Sequence, residues 1–350
     1  MPASRIKAPK SLFLLAGSLA LGIVGGLTAE YLAIPLPWLL GPLICCAIAS
    51  ILGMPVREAK KTAAGFRTFL GVAIGASFTP ALFDRIGEMA ISLSLLPLYV
   101  AALGLIGYPF FHKVCGFDKP TAYFSAMPGG LPDMLAFGAE ARADLRMLSL
   151  VHATRVMLVV IVLPFVIGSV FDIDFGDSSA IGSHWNDISS IEMVVIVFCA
   201  FGGWFTAQKL GMTGASIVGP MIFAAIASIA GFLHERPPVE VIIIAQLLIG
   251  ISVGSKYAGV SRHILLHGMA AAGGYSILIM ITGASFAALA AWIGNVAFLD
   301  AILAYTPGGQ AEMTILAIFA GADAAFVALH HIIRVFLVVM GVPIMHRYLK

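Results

Sequence analysis

Long apolar runs separated by short polar links recur along the whole chain. SLFLLAGSLALGIVGGLTAEYLAI, AISLSLLPLYVAALGLIGYPFF and MLSLVHATRVMLVVIVLPFVIG are each long enough to cross a bilayer, which takes ~20 apolar residues. The pattern predicts apolar segments near 12–34, 36–53, 62–82, 86–111, 119–141 and 145–171, then near 189–210, 212–233, 238–256, 263–293, 296–320 and 324–345. Two segments are interrupted by residues that do not belong in a helix interior: MPGGLPDM at 127–134 and TPGGQAEM at 306–313.

A shift of 179 residues superposes these two interruptions and their surroundings. From Pro128–Pro164 against Pro307–Pro343, 15 of 37 positions are identical without a gap, including the PGG, Met134/Met313, Asp144/Asp323, His152/His331 and Arg155/Arg334. Asp133 falls opposite Glu312, and Gly71 and Gly75 fall opposite Gly250 and Gly254. An internal duplication of this size points to two membrane repeats, 1–176 and 177–350.

Their relative orientation depends on the PGG segments. If these cross the bilayer, the chain spans twelve times and the halves are parallel. If they dip in and return, it spans ten times and the halves are inverted. In the twelve-span arrangement 11 Lys and Arg fall in cytoplasmic links and six outside. In the ten-span arrangement 15 fall inside and only Arg85 and Arg236 outside. The excess of cationic residues on the cytoplasmic side favours ten. The expected fold is therefore all-α and polytopic, with two inverted repeats of five transmembrane helices, each carrying a re-entrant broken helix. Both termini are expected in the cytoplasm, with Arg142 and Lys256 inside and Ser178 and Asp300 outside.

Composition narrows the class without changing it. A mean hydropathy of +1.00 and 11% charged residues lie outside the range of soluble domains and leave no room for one. The net charge of +2 comes from residues scattered in short links, so no nucleic-acid surface is expected. Cys45, Cys46, Cys115 and Cys199 lie in or beside apolar segments without CxxC spacing, as small packing residues do. The first run follows Arg5, Lys7 and Lys10 but is too long for a signal-peptide core, and reads as a retained helix.

Candidate chemistry gathers at the interruptions. Pro128 and Pro307 end an incoming half-helix, Gly129, Gly130, Gly308 and Gly309 let the chain turn, and Pro132 suits the start of the outgoing one. Asp133 and Glu312 follow one turn later. Each could hold Na⁺, carry a proton or pair with an arginine, or could cap its own half-helix. His152 and Arg155 share a helical face, as do His331 and Arg334. Both arginines sit too deep for easy snorkelling and need an acid, helix carbonyls or an anionic substrate as partner. The histidines could relay protons or serve as hydrogen-bonded packing residues. Asp144 and Asp323 read as N-caps, and the GxxxG pairs as helix-packing surfaces. No catalytic residue, metal site or cofactor is expected.

Two copies of PGG-x-x-[Asp/Glu]-Met, each followed by Asp and His-x-x-Arg, together with PLPWLLGP and GASIVGP, resemble the duplicated AbrB-type membrane protein family over essentially the whole chain. The family carries the labels ammonia monooxygenase and transition-state regulator, and shares its name with a small soluble DNA-binding regulator that this chain cannot be. Its re-entrant architecture is similar to that of secondary transporters for glutamate and citrate. The leading expectation is a bacterial inner-membrane secondary transporter, coupled to H⁺ or Na⁺, for a small anionic solute. An indirect role in regulating gene expression is the alternative. A membrane monooxygenase, and hence an enzyme, is not expected, because only scattered histidines stand where a metal cluster would be needed. Expected partners are membrane lipid and a small-molecule or ion substrate, with a homodimer left open and no nucleic acid.

Overall fold

The computed structural model describes residues 8–173, 175, 182–212 and 214–348. The expected repeat boundary at 176/177, Ser178 and both chain ends lie outside the described residues. These residues form helices and links, with no strand among them. In chain order the helices are α1 (Ala8–Tyr31), α2 (Pro37–Ile51), α3 (Lys60–Gly75), α4 (Ile86–Ser94), α5 (Leu96–Pro109), α6 (Lys119–Ala126), α7 (Leu131–Glu140), α8 (Leu145–Phe171), α9 (Ser190–Lys209), α10 (Ala215–Ile229), α11 (Val239–Gly254), α12 (Arg262–Gly294), α13 (Phe298–Tyr305), α14 (Gln310–Phe319) and α15 (Ala324–Tyr348).

Among the described residues, seven helices are long and apolar enough to cross a membrane: α1, the continuous run Ile86–Val114 through α4 and α5, α8, α9, α11, α12 and α15. The segments read as full spans at 36–53, 62–82 and 212–233 are corrected to shorter helices. α2, α3 and α10 have 15, 16 and 15 residues, about 22–24 Å of rise against a hydrocarbon core of about 30 Å. Their ends are set locally. Leu36, in the left-handed region (φ 49°), precedes Pro37, and Gly53 (φ 85°) closes α2. Gly214 (φ 68°) and Gly231 (φ 75°) bracket α10 in the same way.

The chain divides into two compact units, and each draws on both sequence halves. One takes residues 1–76 and 174–262, the other 77–173 and 263–350. In the first unit α2 packs between α1 and α11, and α10 between α9 and α3. Glycines permit these contacts. A Cβ at Gly71 or Gly75 would run into the carbonyl oxygen of Ile217 or Met221. One at Gly250 would lie 2.6 Å from the Leu39 oxygen, and one at Gly254 2.7 Å from the Leu43 oxygen. The contacts of α3 on α10 thus recur, residue for residue, as those of α11 on α2. At one end of this unit the Glu58 carboxylate binds the Ser252 hydroxyl and Lys256 Nζ at 3.2 Å. Burial pushes that carboxyl up, but the Ser252 and Lys256 hydrogen bonds and the charges of Lys256 and Lys60 bring it below its ordinary value.

The second unit contains α4–α8 and α12–α15. Here α6 and α7 lie against α8, and α13 and α14 against α15, so that each broken segment packs on the long helix that follows it. α8 is the most enclosed of the membrane-length helices, and every predicted site residue belongs to this unit.

The glycine contacts give a direct prediction. Gly71→Ala adds one methyl group against backbone and is expected to cost about 1–3 kcal/mol. Gly17→Ala, on α1 with nothing within 4 Å of the new Cβ, is expected to be neutral or slightly stabilising. Thermal unfolding of the two purified variants in one detergent checks the difference.

Candidate functional site

The interruptions read from the sequence are helix breaks. α6 stops at Ala126 because Met127 precedes Pro128 and is held extended (φ −77°, ψ 132°). Thr306 before Pro307 is held likewise (φ −75°, ψ 123°). α7 and α14 then begin from extended N-caps at Gly130 and Gly309, and Pro132 occupies the first turn of α7, where a missing N–H is harmless.

The glycines play a different part from the one expected. None of Gly129, Gly130, Gly308 and Gly309 has a positive φ, so none is there for a left-handed turn. They are there for space. A Cβ on Gly129 would sit 3.0 Å from Val338 Cγ1 on α15, and one on Gly308 3.4 Å from Val159 Cγ1 on α8. Val159 and Val338 are themselves 179 residues apart, so each break touches the long helix of the opposite half. A Cβ on Gly130 would lie 2.7 Å from Asp133 Oδ2, and one on Gly309 would collide with the Glu312 carboxylate. Each acid therefore folds back over the N-cap of its own half-helix, as the third residue of a capping box does. Asp133 is half-buried, whereas Glu312 is buried.

Breaking the helices frees carbonyl groups, and the histidines and arginines claim them. His152 Nε2 meets the Phe124 oxygen at 3.1 Å, and His331 Nε2 meets that of Leu303 at 3.0 Å. A carbonyl accepts only, so each Nε2 is the protonated nitrogen of its ring. This is the hydrogen-bonded packing role, and it leaves each Nδ1 unpartnered. Arg155 donates to the Met127 oxygen at 3.3 Å, and Arg334 to those of Thr306 and Gly308, both at 3.4 Å. Of the three partners considered for the arginines, helix carbonyls are the ones in place. No hydrogen bond or ion pair joins Asp133 to either arginine. Arg155 and Arg334 are 4% and 3% exposed, and each keeps a buried Nε without a partner.

Two tyrosines complete the arrangement, and sequence reasoning missed both. Tyr275 on α12 donates to the Ala126 oxygen at 2.6 Å, and Tyr99 on α5 donates to the Tyr305 oxygen. Ala126 and Tyr305 are equivalent positions, the last residues of α6 and α13. Each half thus supplies the hydroxyl that closes the other half's broken helix. The available signal was a tyrosine inside a long apolar run, which needs an acceptor when buried.

Asp144 and Asp323 are N-caps, as read. Asp144 accepts from Arg146 N and Met147 N at 2.9 and 3.1 Å, and Asp323 from Phe326 N at 3.0 Å. Asp323 also binds Arg85 Nη1 at 2.8 Å, and its N–H donates to Asp300 at 2.9 Å. Asp300 was read as an external link residue. It lies in the first turn of α13 and is 6% exposed, because it takes the place that Thr121 has in the first half, where Thr121 Oγ1 accepts from Asp144 N at 2.8 Å. No group of three or more His, Cys, Asp or Glu that could hold a metal ion occurs among the described residues.

An all-helical chain with membrane-length helices, and with two broken helices and two buried arginines in one unit, has the character of a polytopic membrane protein. A profile of the family described as "Transition state regulatory protein AbrB" matches residues 38–350, and the chain belongs to that family. It is similar to the Bacillus subtilis (strain 168) protein named "Uncharacterized protein YhjN", 24% identical over 95% of this chain and 92% of the relative. It is also similar to an Escherichia coli (strain K12) protein named, provisionally, as regulator AbrB, 22% identical over 93% of each.

Tyr275→Phe leaves the Ala126 carbonyl buried and unmet. It is expected to lower stability by about 1–3 kcal/mol, against no change for Tyr31→Phe, whose ring is 89% exposed. Thermal unfolding of the purified variants measures both.

Proposed function

We propose that the chain is a secondary transporter of the bacterial inner membrane, coupled to H⁺ or Na⁺, that moves a small anionic solute. In this reading the halves are inverted, α6–α7 and α13–α14 are re-entrant from opposite faces, and ten helices cross, three of them short. Both termini are cytoplasmic. No catalytic step is assigned to the chain. Its partners are membrane lipid and the transported solute, with a second copy of the chain as an open assembly.

The observation that carries the reading is the arginine pair. Two buried cationic side chains, each hydrogen-bonded to backbone carbonyls and each keeping an unused Nε–H donor, call for an anion beside them. The first turns of α7 and α14 add free N–H groups and the positive ends of two helix dipoles. Broken helices placed in this way are how many transporters build a substrate site. The family's description favours a second reading, in regulation. We place any such effect downstream of transport, as the consequence of an altered solute level.

Purified protein in liposomes, offered a panel of labelled mono-, di- and tricarboxylates, tests the proposal. The wild type is expected to take up at least one of them above protein-free liposomes. Arg155→Gln and Arg334→Gln are each expected to lower that uptake by ~10-fold or more, the equivalent of about 1.4 kcal/mol, with Arg155→Lys intermediate. Uptake by neither wild type nor any variant, or unchanged uptake in both Gln variants, would contradict it.

A further inference from the structure

The two halves of the second unit repeat each other's contacts except along one line. His330, Ser92 and Tyr305 form a buried polar group in which His330 Nε2 lies 2.8 Å from Ser92 Oγ and His330 Nδ1 lies 2.8 Å from the Phe326 oxygen. The Tyr305 hydroxyl donates to the Ser92 carbonyl at 2.5 Å and stands 3.4 Å from Ser92 Oγ. Ser92 and His330 are both 0% exposed. A shift of 179 residues puts Val151, Ala271 and Ala126 in their places, and all three are buried. The equivalent positions pack the same elements with an apolar set, so the fold does not require the polar one. Burying three polar side chains where apolar ones suffice points to function.

The geometry points to a proton relay: we propose that the coupling ion is H⁺ and that His330 carries it, exchanging through Ser92 and Tyr305. The inference rests on the transporter reading and commits it to one of its two ions. The Phe326 carbonyl can only accept, so Nδ1 carries the proton in the neutral ring and Nε2 accepts from the Ser92 hydroxyl. When a proton arrives, Ser92 passes its own to Nε2 and takes the incoming one on Oγ. The ring becomes imidazolium, with Nδ1–H still on Phe326 and Nε2–H now donating to Ser92. The Ser92 hydroxyl then turns its hydrogen toward the Tyr305 oxygen. Both charge states use the same heavy-atom positions, and release reverses the exchange with no atom gained or lost. The Phe326 ring, 4.0 Å from the imidazole, presents π density to the cation.

The relay has a charged outer end and an inner end. Seven residues before Ser92 is Arg85, and seven before His330 is Asp323, two turns or about 10 Å along each helix. Arg85 is 38% exposed and holds Asp323, with Asp300 Oδ2 at 4.0 Å and Glu88 at 3.2 Å. At the positions equivalent by the 179-residue shift, Ile264 and Thr121 stand where Arg85 and Asp300 stand here. At the inner end Tyr99 bonds the Tyr305 carbonyl and lies within the field of both Arg155 and Arg334. The other titratable or charged groups on the elements packed against α15 are Glu88 on α4, Tyr108 on α5 and Glu312 on α14. α15 itself adds His331 and Arg334 and, in its last turn, His346, Arg347 and Tyr348.

The experiment uses the reconstituted full-length protein and the carboxylate that the panel identifies, with Ser92→Ala and His330→Val supplying the residues of the equivalent positions, Ala271 and Val151. A pH gradient is expected to drive accumulation in the wild type. Each variant is expected to lose that accumulation ~10-fold or more, while keeping gradient-free exchange of the same carboxylate within ~2-fold. Accumulation unchanged in the variants, or driven in the wild type by Na⁺ without a pH gradient, would overturn the relay. If the wild type moves no carboxylate at all, the transporter reading fails. The relay is then decided by ¹⁵N-histidine NMR of the wild type. A His330 that changes between neutral and charged forms across pH 5–8 upholds it, and one neutral throughout overturns it.

Discussion

A helix broken in apolar surroundings leaves carbonyl groups that no water replaces, and each one left unmet costs several kcal/mol. The second unit is organised around that cost. α6 and α13 each stop one residue short of an X-Pro bond, and the carbonyls they release are taken by one histidine, one arginine and one tyrosine per break. Histidine and arginine come from the half that contains the break, tyrosine from the other. This reciprocal satisfaction ties the two breaks together within one unit. It also explains why ionisable side chains are tolerated so deep in an apolar protein.

Much of this was legible in the sequence because the duplication marked it. PGG, the acids, His-x-x-Arg and the two Asp N-caps repeat at a fixed shift, and the helices break where Pro128 and Pro307 demand it. The partners of the arginines were not legible. An Arg near an acid in sequence reads as an ion pair, and nothing in the sequence shows that the breaks offer carbonyls, which Arg155 and Arg334 take as hydrogen-bond acceptors. The role of the glycines was misjudged for a related reason. A PGG triplet signals a turn locally, yet Gly129 and Gly308 leave room for Met134 and Met313, with Val338 and Val159 close behind, and that packing forms only in the tertiary structure. Tyr99 and Tyr275 stayed hidden because they do not align with each other, although they serve equivalent carbonyls. The short helices α2 and α10 read as full spans because hydropathy sees apolar length and not the left-handed residues at their ends.

The family description and the relatives' names speak of regulation or of nothing specific, while the local chemistry speaks of an anion. These are compatible if the molecule acts on the level of a solute. The duplicated parts, shared by both halves, make the frame and the arginine pair. The unduplicated parts, His330, Ser92, Tyr305 and the Arg85 cluster, draw on both halves and have no polar counterpart at the equivalent positions Val151, Ala271, Ala126 and Ile264. A symmetric pair of breaks can hold a solute, and an asymmetric polar line beside it can couple that solute to an ion.

The account stands on the two halves lying in opposite orientations, and cysteine accessibility measures that most directly. Single cysteines would be placed at Arg142, Arg262 and Asn186, all exposed link or helix-end residues, in a chain lacking Cys45, Cys46, Cys115 and Cys199. Membrane-impermeant labelling of right-side-out and inverted vesicles would then assign each to a face. The account predicts Arg142 and Arg262 labelled only from the cytoplasm and Asn186 only from outside. The opposite labelling would mean that both broken segments cross the membrane, that the halves are parallel, and that the opposed breaks on which the proposed site depends do not exist.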